Sequence, residues 1–335
     1  MDTLSHLLTG AAIGQITAGR KTGRKALFWG AAAANMPDAD VFFQNLFSPL
    51  NSLFFHRGIS HSLLFWLILS PCFAFMSTKI HKGTRTDFAT QLKISSAAWF
   101  SHIFVDAFNT YGTGIFLPFS RTRIAFDCIN VVDLFFTLPL LIAFVFYMIF
   151  KNADVKKIAA ISGLAISMTY FGFTVVNKVH VNNTARHQIA MQNIDAERIL
   201  TAPLPLSNLA WLVVVEEAGG FRSGIYYRPR KNEIRFEFIP GNESVIESYR
   251  NISDFVKIER FTKNWFVADS TGPDNLTIYD LRFGSLSDEE TDRYVIKFEV
   301  ERYGDAIKVK RTRPKRYITL KNAKDYYKQI FSKQT

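Results

Sequence analysis

Two cysteines are all that 335 residues contain, Cys72 and Cys128, and neither stands in a CxxC or CxxH pattern. A disulfide framework and a thiolate zinc site are therefore excluded as organising features. The first apolar stretch, MDTLSHLLTGAAIG, has no basic region before it and does not read as a cleavable signal peptide. Repeats and low-complexity tracts are lacking. The net charge of +11 comes without any recognised DNA or RNA motif, so nucleic acid is not an expected partner. Long apolar runs are also missing, but only after about residue 180. That asymmetry divides the chain into two unlike halves.

The first half is crowded with apolar residues. Residues 131–150 carry one charge over about the length that crosses a bilayer, and residues 158–177 form a second such run. Residues 62–78 form a third, interrupted by Pro71, and residues 92–108 a fourth around Trp99 and Phe100. Two shorter segments come first. Residues 4–18 space Gly10, Gly14 and Ala18 four apart, which lets another helix approach closely, and residues 26–36 end at Pro37. Both are short for a full crossing and suit a buried or re-entrant hairpin. The expected fold is an α-helical polytopic membrane domain of four to six helices over 1–178. A linker or amphipathic helix at 179–202 and a β-rich, antiparallel soluble domain at 203–335 follow. The latter expectation rests on period-two alternation at 211–215, 234–238, 265–268, 276–279 and 294–300, with Gly, Pro and Asn turns between.

The loops predict a sidedness. Arg20, Lys21, Arg24 and Lys25, then Lys79, Lys82 and Arg85, then Lys151, Lys156 and Lys157 lie in alternate loops, against only Arg57, Arg121 and Arg123 in the others. If every segment crosses, the richer loops face the cytoplasm. The other face, and the C-terminal domain with it, is then extracytoplasmic in a multi-pass membrane protein.

Seven histidines and aspartates fall at helix ends on that sparse face: His6, Asp38, Asp40, His56, His61, His102 and Asp106. Imidazole and carboxylate are the ligand types for Zn, Mn or Fe, and each group is costly in apolar surroundings unless something compensates. His102 and Asp106 are four apart and share a helix face. Asp38 and Asp40, two apart after a helix-stopping proline, point one way from an extended chain. Gly58 lets the HRGISH loop turn sharply, and Ser60 is placed to cap the next helix. Any one of these clusters alone reads more plainly as a structural histidine or a turn. Together on one face they read as a metal site. Their number suits two divalent ions, Zn with Mn or Mg as alternatives, that activate water against a phosphoester, with Arg57 holding the anion. Asp38 and Asp106 join Arg57 as the candidate catalytic groups. Asn109, Thr110 and Tyr111 are candidates for supporting roles, with Asp127 and Asp133 as weaker ones. His81, His180 and His187 read as surface residues. The competing reading is a transporter or scaffold with an ion on a permeation path.

The motifs M-D-x-x-S-H-x-x-x-G at 1–10, Pro37-Asp38-Ala39-Asp40, His56-Arg57-Gly58-Ile59-Ser60-His61-Ser62, and His102-x-x-x-Asp106 with Asn109-Thr110-Tyr111-Gly112-Thr113 resemble the YdjM-like membrane-bound metal-dependent hydrolases of bacteria. The resemblance continues through Asp127, Asp133 and Asn177-Lys178. Asn208, Trp211 and Asp280-Leu281-Arg282-Phe283-Gly284 resemble the extension of longer members. The resemblance implies hydrolysis without fixing a substrate; a phospholipid or other phosphoester is the substrate expected from the metal-site chemistry. The order of ligands is more distantly similar to zinc-dependent phospholipase C and its nuclease relatives. This chain departs from that pattern by having Met1-Asp2 where they begin with tryptophan.

Overall fold

The computed structural model describes residues 1–80, 87–284, 294–312 and 320–331. In chain order the helices are α1 (Thr3–Thr22), α2 (Arg24–Asn35), α3 (Pro49–Phe55), α4 (Leu63–Ile80), α5 (Phe88–Asp106), α6 (Leu134–Ile149), α7 (Ala153–Met191), α8 (Glu243–Glu247), α9 (Ser253–Thr262) and α10 (Leu320–Phe331). The strands are β1 (Arg198–Pro203), β2 (Ala210–Glu217), β3 (Gly220–Tyr227), β4 (Glu237–Pro240), β5 (Phe266–Gly272), β6 (Asn275–Asp280), β7 (Lys297–Tyr303) and β8 (Ala306–Thr312). Two compact units divide the chain: residues 1–46 with 55–175, and residues 47–54 with 176–335.

In the first unit α1 and α2 form a tight antiparallel hairpin. Asp2 caps α1 by accepting from the Ser5 amide at 3.0 Å. Gly23, at φ +57°, turns the chain without the penalty a side chain meets there. The small residues do what their spacing predicts. A Cβ on Gly10 would sit 2.3 Å from the Gly30 carbonyl oxygen, and one on Gly14 would sit 2.0 Å from that of Ala26. Because the hairpin closes on Gly23 alone, Arg20, Lys21, Arg24 and Lys25 lie within helices and not in a loop. Their end of the unit is tied to the start of α7 by the Arg20–Asp154 ion pair.

Among the described residues, two helices are long and apolar enough to cross a membrane, α4 and α7; α6 is apolar but has 16 residues. At about 1.5 Å per residue, the 12 residues of α2 reach only about 18 Å, well short of a hydrocarbon core. The exposed faces of α4, α6 and α7 carry Leu67, Ile68, Phe75, Leu138, Ile149, Ile158 and Val176. Apolar surface of that extent belongs against lipid or a partner. Lys82, Arg85 and His81 lie outside the described residues.

The second unit holds two four-stranded antiparallel meanders, β1-β2-β3-β4 and β5-β6-β7-β8. The segment expected as a linker is two things instead. α7 runs unbroken to Met191, and β1 begins at Arg198. A helix can change solvent along its axis without changing backbone, so the polarity jump near Lys178 marks no break. Past that point Val181, Ala185 and Ile189 form a stripe packed on Trp211, Val213, Val215 and Tyr226. The strand expected at 234–238 begins only at Glu237. β1 and β3 carry no clear alternation and were not foreseen, nor were the helices α8–α10; β8 alternates at Ile307 and Val309 but was not foreseen either. α9 lays Phe255 and Phe261 against Phe266 and Phe298 of the second sheet.

Candidate metal centre

Asp106 is the last residue of α5, at the carbonyl end, where the helix dipole disfavours a negative charge. Cations offset it: the Arg57 Nε lies 3.1 Å from Oδ2, and the Met1 amine pairs with Oδ1. One turn earlier His102 shares its face. Its Nδ1 lies 2.6 Å from the carbonyl oxygen of Ala34, one of the carbonyls left unpaired at the end of α2. That bond fixes the tautomer and leaves the Nε2 lone pair facing inward.

The Ile59–His61 turn presents the second imidazole. The Ser60 hydroxyl lies 2.9 Å from His61 Nδ1 and donates to Asp40 Oδ2 at 2.7 Å. Ser60 is thus a positioning residue and does not cap α4. Ser62 takes that place, accepting from the Phe65 amide at 3.1 Å. Asp38 comes from the Pro37–Leu46 segment, which is a 3-10 helix and not extended chain.

Four atoms then converge. His61 Nε2 lies 3.0 Å from His102 Nε2, 3.4 Å from Asp38 Oδ1 and 3.7 Å from Asp106 Oδ2; His102 Nε2 lies 3.5 Å and 3.6 Å from the same two oxygens. A tetrahedral zinc ion with bonds of about 2.05 Å has ligands about 3.3 Å apart. The cage matches that spacing. Neither Asp38 Oδ1 nor Asp106 Oδ2 accepts a hydrogen bond, though both are buried. Two imidazole nitrogens and two buried carboxylate oxygens converge there; the Arg57 Nε, 3.1 Å from Asp106 Oδ2, offsets part of the charge, and a divalent cation would offset the rest. The donor set therefore fits a divalent metal.

Asp38 also belongs to a second group with Asp40 and His56, whose potential ligand atoms lie within 4.8 Å of one another. His56 Nδ1 is 2.9 Å from Asp40 Oδ1. The two groups thus overlap at one carboxylate, Asp38. Burial alone would raise Asp38, yet its close approach to the His102 and His61 rings outweighs it and holds the carboxyl below its ordinary value. Burial likewise works against Asp40, yet the His56 contact holds it down. Burial lowers His61 to about 4, so the ring is neutral and free to donate a lone pair at physiological pH.

Six of the seven residues expected as ligands fall in these two groups. His6 sits at the edge of the cage: its Nε2 is 3.2 Å from Asp106 Oδ1 and its ring stacks on His102 at 3.6 Å. Arg57, at φ +58°, is buried, and its Nη1 has no hydrogen-bond partner among the described residues. Asn109 supports the site as expected, donating to Asp106 Oδ1 at 3.3 Å and accepting from the Tyr111 amide at 2.9 Å. Tyr111 lies under Arg57 and Arg123. Asp133 is instead the cap of α6, bonded by Tyr170 at 2.9 Å, with its carboxyl pushed up to about 6 by burial. His180 and His187 are exposed on α7, as expected.

Sequence reasoning missed Arg123 as more than a loop charge. It donates to the His56 and Gly112 carbonyls at 3.1 and 2.8 Å and so clamps two site loops together. No pattern marks it. Asn177, Lys178, Asn208 and Trp211 also find each other, away from this cage. Asn177 donates to Asn208, Lys178 lies over the Trp211 ring, and Trp211 donates to the Asn208 carbonyl. They fasten α7 to the first sheet.

No solved structure matches the chain. An uncharacterized protein of Bacillus subtilis, YfhP, is 25% identical over 236 residues, spanning 67% of this chain and 68% of that protein. The family model described as YdjM inner membrane protein matches residues 1–181, which hold every ligand of the cage, and the chain belongs to that family.

Proposed function

We propose, with membership in an inner membrane family as the premise, that the protein is a membrane-embedded metal-dependent hydrolase of a phosphoester. The convergence of Asp38, His61, His102 and Asp106, with ligand atoms within 4.8 Å of one another, carries this reading. Asp38, His61, His102 and Asp106 would hold one ion, and Asp38, Asp40 and His56 a second, with His6 supporting Asp106. The metal, most simply Zn, supplies Lewis-acid activation of water and of the phosphoryl oxygen. Asp38 is the cage carboxylate that is only half-buried, so it is the group positioned to accept a proton from an incoming water. Arg57 offers its unpartnered Nη1 to a phosphate oxygen in surroundings where a charge-assisted bond is strong. Ser60 and Asp40 fix the His61 ring against rotation. On this reading the site and the second unit lie on the extracytoplasmic side.

The test is elemental analysis of purified protein together with turnover. Wild type should carry Zn or Mn, and His61→Ala and Asp106→Ala should lose it; full metal content in folded variants sinks the assignment. Hydrolysis of phosphodiesters should depend on the metal and stop with chelator. Ion uptake by proteoliposomes without turnover would favour the transporter reading instead.

A further inference from the structure

The Pro37–Leu46 segment has two opposed characters. Asp38 and Asp40 turn into the cage, whereas Val41, Phe42, Phe43 and Leu46 are exposed, Phe42 at 85% and Leu46 at 78%. A second apolar projection stands on the loop after α5, where Phe116 and Phe119 are exposed, the latter at 85%. Both segments are fixed to the same Ile59–His61 turn and its flanks. Ser60 binds Asp40 on one side, while the Gly114 amide donates to the Arg57 carbonyl and the Leu63 amide to the Ile115 carbonyl on the other.

That turn is continuous with a span. α4 begins at Leu63, two residues after His61, and its Leu67, Ile68 and Phe75 are exposed along it. The aromatic projections therefore stand where an apolar helix leaves the bilayer, the level at which amphipathic elements bury about 5–10 Å. Arg121, exposed two residues past Phe119, suits the anionic headgroups of that layer. Asp38 and Phe42 are four residues apart in a 3-10 helix, about 8 Å by its rise, which is the reach of a lipid headgroup.

We propose that Phe42, Phe43 and Leu46, with Phe116 and Phe119, form a lip seated in the bilayer interface. The site then takes a phosphoester of the phospholipid class. Its chains stay in the leaflet while its headgroup reaches Asp38 and Arg57. The substrate clause rests on the hydrolase reading; the lip does not.

Two measurements separate them. In a Cys72→Ser, Cys128→Ser background reconstituted in phosphatidylglycerol–phosphatidylethanolamine liposomes, nitroxides at Phe42→Cys and Phe119→Cys should be relaxed more by oxygen than by a water-soluble nickel chelate. The opposite ratio at both positions overturns the lip. With Zn or Mn added, wild type and Phe42→Ser/Phe43→Ser are then compared on phospholipid vesicles and on soluble bis(p-nitrophenyl) phosphate. The substitution should lower the vesicle rate at least tenfold more than the soluble rate. An unchanged ratio overturns the substrate class. Turnover of neither by wild type overturns the hydrolase reading and the substrate clause with it, and leaves the lip to the nitroxide result.

Discussion

Ser60 stands between Asp40 and His61, and its hydroxyl is the link through which a carboxylate orients an imidazole without touching it. Removing such an outer partner typically costs 10–100-fold in metal affinity. Ser60→Ala should therefore weaken Zn binding by about that factor in a competition against a fluorescent chelator, while the fold and the remaining ligands persist. Unchanged affinity would show that His61 is held by its own packing. The histidines and aspartates of the candidate cage were legible in the sequence because such residues are conspicuous among apolar neighbours. Their orienting partners were not. The Ala34 carbonyl that fixes His102 is backbone and lies 68 positions away. Ser60 looked like a helix cap because serine before an apolar run usually is one.

The α1–α2 hairpin sets the distance between His6 and the Ala34 carbonyl, so packing of small residues reaches the metal cage. Leucine at Gly14 must displace the Ala26 backbone, which a flexible neighbour cannot absorb. Gly14→Leu should lower the thermal midpoint in detergent by several degrees and reduce bound metal below half of wild type. Gly172→Ala is the control: nothing lies within 4 Å of its added Cβ, and it should be neutral or slightly stabilising. Equal behaviour of the two variants would disprove the coupling. The close approach was readable from Gly10 and Gly14, four apart. What stayed hidden at this scale has physical causes. β3 reads GFRSGIYY, whose glycines and polar residues interrupt the kind of apolar run that marked β2. A single 39-residue α7 was masked by its change from apolar to polar surroundings.

The sidedness of the whole molecule follows from where α7 starts. Its first turn joins Arg20 through Asp154, and Lys156 lies over Tyr147 near the end of α6. The basic ends of α1, α6 and α7 thus gather at one end of the first unit, whereas the His/Asp cage is built from the other ends of α1, α2 and α5. Cytoplasmic loops carry the excess of Lys and Arg, so the proposal is that the cage faces outward. With 39 residues α7 is about 58 Å long, nearly twice a hydrocarbon core of about 30 Å, so we propose that it crosses once and leaves Asp305 outside the cytoplasm. Single cysteines at Lys151, Thr122 and Asp305, each exposed, test this in the cysteine-free background. A membrane-impermeant maleimide should label Thr122→Cys and Asp305→Cys in intact cells, and Lys151→Cys only after permeabilisation. Labelling of Lys151→Cys alone would invert the protein and put the site in the cytoplasm. Equal labelling of Lys151→Cys and Thr122→Cys in intact cells would show that the basic ends and the cage are not separated by the membrane. An outward cage meets the outer leaflet, and an inverted one the inner leaflet, so the same experiment decides which lipid pool the site can reach.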